Sequence, residues 1–423
     1  MLFRFCLYGF LKNQRYFDPF LMLVFLDRGF SFFVIGLLLA CRDLTVNMLE
    51  IPSGALADSF GRRGAMLTSL VAYIVSFLVL GASTSVALYF VGMILYGVGD
   101  TFRTGTHKAM IFEWLRLQGR SDERTSIYGL TRSWSQIGSA LSGIIAAIFV
   151  LVSGSYAYVF FAAVIPYVFN LINLASYPKA LDGEHEKAQT ISESMRRLKN
   201  SLFKAITNRP LRRILLEAMS WEGFFNAIKD YLQPVLQSVA VVGLATFFGR
   251  DPTAPSHASI DSLFNPAQKT ALLIGPIYAI LFLLSAWASR KSHRLVARYG
   301  GETAAARILW RANLVVFCAL AVAAWFQFNV VLVVGFVLLY MLKNFWRPIL
   351  ISRIDSRSEP HEGATILSIE SQAQRSATLV LAPAIGWTID MVHANQFGGP
   401  LWPIGVCGAI IAVAMLVSAP TAP

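Results

Sequence analysis

Tyr96, Asp100, Arg103 and His107 recur at intervals of four, three and four within an apolar stretch. On a helix that rhythm puts all four on one stripe. Glu222, Asn226, Lys229 and Gln233 follow the same kind of spacing further along, with Asp230 beside them. Lys12, Arg15 and Asp18 stand three apart, and Tyr340, Lys343, Asn344 and Arg347 crowd one apolar segment. Arg132, Glu370, Gln374 and Arg375 add charge elsewhere, as do Arg42, Asp43, Asn47 and Glu50. A charged side chain at the centre of a bilayer costs ~2.5–3.5 kcal/mol or more, so each of these is either a functional group or half of a structural ion pair. Among the carboxylates, Asp18, Asp100, Asp230 and Glu370 are candidate proton carriers, because burial set against a neighbouring arginine decides whether a carboxylate keeps its proton. The deep basic residues Arg15, Arg103, Arg132, Lys229, Lys343, Arg347 and Arg375 outnumber them. Paired guanidinium groups bind carboxylate and phosphate oxygens two at a time, so the expected ligand is an anionic or zwitterionic small organic molecule.

Enzymatic chemistry has no comparable support. His107 has no cysteine, serine motif or second histidine placed to work with it. Cys6, Cys41, Cys318 and Cys407 lie in or beside apolar segments without paired spacing, so neither a disulfide nor a metal site is expected. No G-x-x-x-x-G-K-[ST] loop occurs, and no soluble domain is large enough to hydrolyse a nucleotide. No cofactor is expected, and the energy source is a proton gradient, another ion gradient or the solute's own.

Helices that cross a membrane must position these groups. The chain has 423 residues, of which 56% are hydrophobic and 14% charged, which is too apolar for soluble domains. Apolar stretches of roughly 20–25 residues, each long enough to cross about 30 Å of hydrocarbon, recur along its length, and the short alternating segments of a barrel are missing. The predicted spans are 5–28, 33–57, 64–82, 86–112, 125–152, 156–177, 210–240, 268–289, 303–325, 329–350, 362–389 and 398–418. The net charge of +12 sits in the loops, which argues for membrane topology and against nucleic acid. With both termini cytoplasmic, nearly all loop arginines and lysines fall inside, as the positive-inside rule asks. The first residues lack the order of a cleaved signal, so the first span is expected to stay.

The polar stretch 178–209 divides six spans from six, giving an N-terminal bundle (1–177), a linker and a C-terminal bundle (210–423). Ile191, Met195, Leu198, Leu202 and Ile206 predict an amphipathic helix in the linker, lying on the inner membrane face. A weak internal repeat fits two related halves. RYFDPFL (15–21) aligns with DYLQPVL (230–236), pairing Arg15 with Asp230, Tyr16 with Tyr231, Asp18 with Gln233 and Pro19 with Pro234. LYGVGDTFR (95–103) aligns with LYMLKNFWR (339–347), pairing Tyr96 with Tyr340, Asp100 with Asn344 and Arg103 with Arg347. Pro19 and Pro234 are expected to break backbone bonding within the first and seventh spans.

Between the second and third spans the chain reads GALADSFGRRGAML (54–67). Gly54 is expected to admit a neighbouring helix, Gly61 to make a tight turn, and Asp58 to pair with arginines or cap the next helix. This stretch resembles the loop signature of the major facilitator superfamily, with Gly54, Leu56, Ala57, Asp58, Gly61, Arg62 and Arg63 at the matching positions. The resemblance covers essentially the whole chain. It implies an all-α integral membrane fold of twelve transmembrane helices in two pseudo-symmetric six-helix halves. Helices 1, 4, 7 and 10 would line a central cavity, and Gly54, Asp58, Gly61, Arg62 and Arg63 would serve gating. The cavity residues expected on this basis are Arg15, Asp18, Tyr96, Asp100, Arg103, Arg132, Lys229, Asp230, Gln233, Lys343, Asn344, Arg347, Glu370 and Arg375. Ser59 replaces the frequent basic residue of the signature, and QIGSALSGII (136–145) lacks the G-P-x-x-G-G run of antiporting drug exporters.

The resemblance therefore implies a secondary transporter in the plasma (bacterial inner) membrane, working as a monomer among membrane lipids on a small solute, by alternating access and with protons as the coupling ion. Rival readings are a polyspecific drug/proton exporter and a non-transporting receptor or scaffold. Several residues have plainer readings. Lys12 sits where it can snorkel to the surface, Lys108, Glu113 and Glu217 fall near inner ends as surface or gate charges, and Arg42 with Asp43 fits an interhelical pair. Trp134, Trp221, Tyr231 and Trp346 read as packing residues.

Overall fold

The structure is a computed structural model of the chain and describes residues 1–103, 106–182, 206–247, 264–357 and 363–418, with Arg196 and Phe203. Most of the predicted linker helix, and most of the loop at 243–267, lie outside the described residues. Regular structure among the described residues is helical throughout. The first half contains α1 (Leu2–Lys12), α2 (Leu21–Asp27), α3 (Phe32–Phe60), α4 (Arg62–Ala82), α5 (Val86–Arg103), α6 (Thr106–Leu117), α7 (Arg124–Ser153) and α8 (Tyr158–Ala175). The second contains α9 (Arg209–Ala218), α10 (Phe224–Ile228), α11 (Leu232–Phe247), α12 (Pro266–Arg298), α13 (Glu302–Trp325), α14 (Asn329–Asp355), α15 (Gly363–Ala394) and α16 (Trp402–Val417).

Among the described residues, eight helices are long and apolar enough to cross a membrane: α3, α4, α7, α8, α12, α13, α14 and α15. Helix α16 is a shorter apolar one. The first and seventh predicted spans are not such continuous apolar helices, and both are dense in polar residues. In the first, the helix stops at Lys12 and resumes through a 3-10 turn at Asp18–Phe20. The break therefore begins before Pro19, which sits in the first turn of the new helix where its missing N–H costs nothing. Asn13 ends α1 by donating from its side chain to the Gly9 carbonyl at 2.7 Å, and Gln14 donates to the Gly138 carbonyl at 3.1 Å. In the seventh, a π turn at Met219–Gly223 and a 3-10 turn at Lys229–Tyr231 interrupt the helix, again ahead of the proline, Pro234. Thr378 donates its hydroxyl to the Gly223 carbonyl at 3.1 Å, and the freed backbone is satisfied.

The chain forms two compact units, Met1–Leu21 with Cys41–Arg197, and Met22–Ala40 with Leu198–Pro423. In the first unit, α4 packs on α5 and α8, and α1 packs on α7 and α8. Helices α1 and α7 approach closely because two glycines face the contact: a Cβ on Gly138 would stand 2.5 Å from the Phe10 carbonyl oxygen. In the second unit, α13 packs on α14 and α16, and the rings of Trp221 and Trp346 stack with centroids 4.6 Å apart beneath Trp310. Residues 22–40 belong by sequence to the first half but pack here. The backbone N–H groups of Phe32 and Phe33, which open α3, donate to the Asp390 carboxylate of α15 at 3.0 and 2.8 Å. A Cβ on Gly386 would stand 2.2 Å from the Phe32 carbonyl oxygen, so the two backbones touch there.

Candidate functional site

Within the first unit the break after α1 brings Arg15 to Asp18 at 3.1 Å and to the Tyr96 hydroxyl of α5. One helical turn on, Arg103 pairs with Asp100 at 2.9 Å, and Tyr73 of α4 donates its hydroxyl to Asp100 at 2.5 Å. Arg103 Nε also donates to that hydroxyl at 3.0 Å. Arg42 pairs with Asp43 at 2.7 Å, as neighbours on α3 and not between helices as its plainer reading expects. Each of these carboxylates has a guanidinium of its own, and the pairs satisfy each other at depth.

Beside them, α1, α5, α6 and α7 enclose a cavity of about 440 Å³, a size suited to a small organic molecule. Lys12, Arg103, Lys108 and Arg132 line it, together with Tyr8, His107 and the hydroxyls of Thr131, Ser135 and Ser139, and among the described residues no carboxylate does. Gly9, one turn before Lys12, keeps the wall thin against α7, since a Cβ there would stand 2.6 Å from Ser135 Oγ. The ring of Tyr8 stacks on His107 with centroids 3.8 Å apart, and its buried hydroxyl has no hydrogen-bond partner. Among the described residues Lys12 and Arg132 make no ion pair, and Lys108 rests over the rings of Phe112 and Tyr128. The cavity therefore presents cations whose charge the protein leaves uncompensated.

The second unit holds a different constellation. Arg347 of α14 pairs with Glu370 of α15 at 2.6 Å and with Glu222 of the π turn at 3.2 Å. Gln374 donates to the same oxygen of Glu370, whose other oxygen is buried without a partner. Lys343 lies over the Phe225 ring at 5.9 Å, and Lys343 and Arg375 both stand within electrostatic range of this pair of glutamates. Asp230 pairs with its neighbour Lys229 at 2.9 Å, while Gln233 accepts from the Met22 backbone at 2.8 Å. Asn344 donates back to the Tyr340 carbonyl of its own helix at 2.8 Å.

The residues expected to serve gating are described in part. Gly61 has φ of 87° and begins α4, as a tight turn requires. A Cβ on Gly54, in contrast, would meet nothing within 4 Å among the described residues. The cap on α4 comes from Asp182, which accepts from the Arg63 backbone at 2.7 Å, and the Arg63 side chain donates to the Ala175 carbonyl. The Asp58 side chain lies outside what the structure describes. At the end of α6, beyond the apolar stretch, a hydrogen bond from Arg116 holds the Glu113 carboxyl below its ordinary range, helped by the charges of Arg116 and Arg62.

Of the predicted cavity residues, Arg103 and Arg132 line the cavity, whereas Arg15, Asp18, Tyr96 and Asp100 form the bonded layer beside it. Lys12, which the sequence reading let snorkel to the surface, and Lys108, which it took as a surface or gate charge, also line the cavity. Sequence reading missed Tyr8 and Tyr73, because a tyrosine in an apolar run carries no spacing signal.

The family model for the Major Facilitator Superfamily matches residues 5–380. The MFS-type transporter pydD of Acremonium sp is 25% identical over 211 residues, 48% of this chain and 35% of that protein. An uncharacterized MFS-type transporter, YxaM of Bacillus subtilis (strain 168), is 24% identical over 228 residues, 53% of this chain and 55% of its own length. The chain thus spans about a third to about half of these curated relatives. Among solved structures, the nucleoside transporter NupG (D323A mutant) superposes with a TM-score of 0.76 at 13% identity, covering 98% of this chain and 99% of that one. A D-xylose-proton symporter gives 0.69 at 15% identity, covering 99% and 96%. At these identities the likeness is one of fold.

Proposed function

The chain belongs to the Major Facilitator Superfamily and is a multi-pass membrane transporter, and on that premise we propose that it carries a small organic anion or zwitterion by alternating access, coupled to protons. The observation that carries the substrate class is the cavity lined by Lys12, Arg103, Lys108 and Arg132 with no carboxylate in its wall. Lys12 is half-buried and Arg132 exposed, and neither has a carboxylate in contact among the described residues, so an anionic ligand between them gains charge-assisted hydrogen bonds from both. Tyr8 and the α7 hydroxyls supply neutral hydrogen bonds, which fits an organic anion with polar substituents.

We assign proton coupling to Glu370. Asp18, Asp100 and Asp230 each have a cation in direct contact through an adjacent or nearby residue of their own segment. Glu370 instead shares Arg347 with Glu222, and its unpartnered oxygen is where a proton adds without displacing Arg347 or Gln374. Protonation there frees part of the hold on Arg347, so the α14–α15 contact differs between the loaded and unloaded states. We place both termini in the cytoplasm and the protein in the bacterial inner membrane, on the distribution of loop arginines, with the monomer as the working unit. Uptake or efflux of organic anions by the purified protein in liposomes tests the reading. Transport of neutral amphiphiles in preference to anions would replace it with that of a drug exporter.

A further inference from the structure

A second basic cavity, of about 390 Å³, lies in the second unit where the first turns of α9 and α13 meet the last turns of α14 and α16. Five arginines line it, Arg209, Arg213, Arg307, Arg353 and Arg357, against a single carboxylate, Glu217. Glu217 is already shared: it accepts from Arg213 at 2.8 Å and from Arg353 at 2.6 Å. Arg213 is spent further on the Met415 carbonyl at 2.7 Å and on Ser418. Arg209 and Arg307 form no ion pair among the described residues, and Arg357 reaches only the Arg353 carbonyl, at 3.5 Å. Two buried donors at this cavity, Arg353 Nε and Trp310 Nε1, also have no acceptor, although their residues are only 5% and 2% exposed. Among the described residues, then, five arginines and two buried donors face one shared carboxylate.

The shape of the cavity says which kind of anion suits it. One wall is apolar, formed by Ile214, Trp310, Met415 and Leu416. Leu416 continues into an exposed apolar face of α16 carrying Ile410, Val413 and Val417, the kind of surface that meets acyl chains. The ligand that satisfies both features has an anionic head and an apolar tail. Because the cavity lies where four helices end, the head sits at headgroup depth.

We propose that this cavity binds the phosphodiester headgroup of an anionic membrane lipid, with Arg209, Arg307 and Arg357 on the phosphate and an acyl chain along Met415 and Leu416. The site is separate from the transport cavity of the first unit and does not depend on the solute assigned there.

The test uses the full-length protein in detergent, with phosphatidylglycerol, phosphatidylcholine and inorganic phosphate as probes, read by native mass spectrometry and by thermal unfolding. Phosphatidylglycerol should remain bound and raise the unfolding temperature, and phosphatidylcholine and inorganic phosphate should not. In the Arg209→Ala/Arg307→Ala double variant, which breaks no ion pair, retention of phosphatidylglycerol should fall by about tenfold or more, roughly the effect of two interfacial cations. Equal binding of both lipids, unchanged retention in the variant, or the same stabilisation by phosphate alone would each overturn the assignment. Should the variant fail to fold, the comparison of the three probes on the wild-type protein decides the matter.

Discussion

Lys12, half-buried, and Arg132, exposed, differ from the cations around them in having no carboxylate in contact among the described residues. Arg15 has Asp18, Arg103 has Asp100, Lys229 has Asp230 and Arg347 has two glutamates. Replacing Lys12 or Arg132 by Gln should therefore leave folding intact and weaken solute binding by roughly 10- to 100-fold, the worth of one charged hydrogen bond. Uptake kinetics would show this as a raised KM. Arg347→Ala is a different kind of change, since it strands Glu222 and Glu370, and it should destabilise the protein by ~3–5 kcal/mol. A thermal unfolding series in detergent would measure that loss. Glu370→Gln should abolish accumulation driven by a proton gradient while sparing solute exchange at equal pH, because the amide fills the space without exchanging a proton. The spacing of three between Asp100 and Arg103, and between Arg15 and Asp18, was visible in sequence, and these are the residues that pair. The Arg347–Glu222 contact joins residues 125 apart on separate elements, and no local pattern announces it.

At the scale of elements, polar side chains decided where helices stop. Asn13 and Gln14 take over the carbonyl contacts at the end of α1, and Thr378 does the same for the π turn, so the backbone can break inside an apolar run. The prolines drew attention to the right stretches, but each break falls just ahead of its proline. The opening of α3 is held by Asp390 and by the contact of Phe32 with Gly386, a juncture no periodicity could show because its residues lie more than three hundred positions apart. Gly386→Val must push these backbones apart, and overpacking of this kind costs ~1–3 kcal/mol. A cysteine at Ile35, a residue only 1% exposed, should then react with a membrane-impermeant maleimide faster than in the parent, while transport declines. Asp390→Asn should act in the same direction and more weakly. Unchanged labelling in both variants would mean that the juncture does not hold α3.

At the scale of the whole molecule, composition and the 54–67 signature were enough to place the chain in its superfamily, because hydrophobic length and one turn-forming loop are both local properties. The transport chemistry was less legible, since it depends on which cations remain unpaired after every helix has been packed. The central claim is that the cavity of Lys12, Arg103, Lys108 and Arg132 takes an organic anion. The most direct measurement is binding of a panel of small organic anions, zwitterions and neutral amphiphiles to the purified protein by calorimetry, with the Lys12→Gln/Arg132→Gln double variant alongside. The account predicts that at least one anion or zwitterion binds the wild-type protein and that the folded variant loses it. Binding confined to neutral amphiphiles, or anion binding that the double variant keeps at full strength, would contradict it.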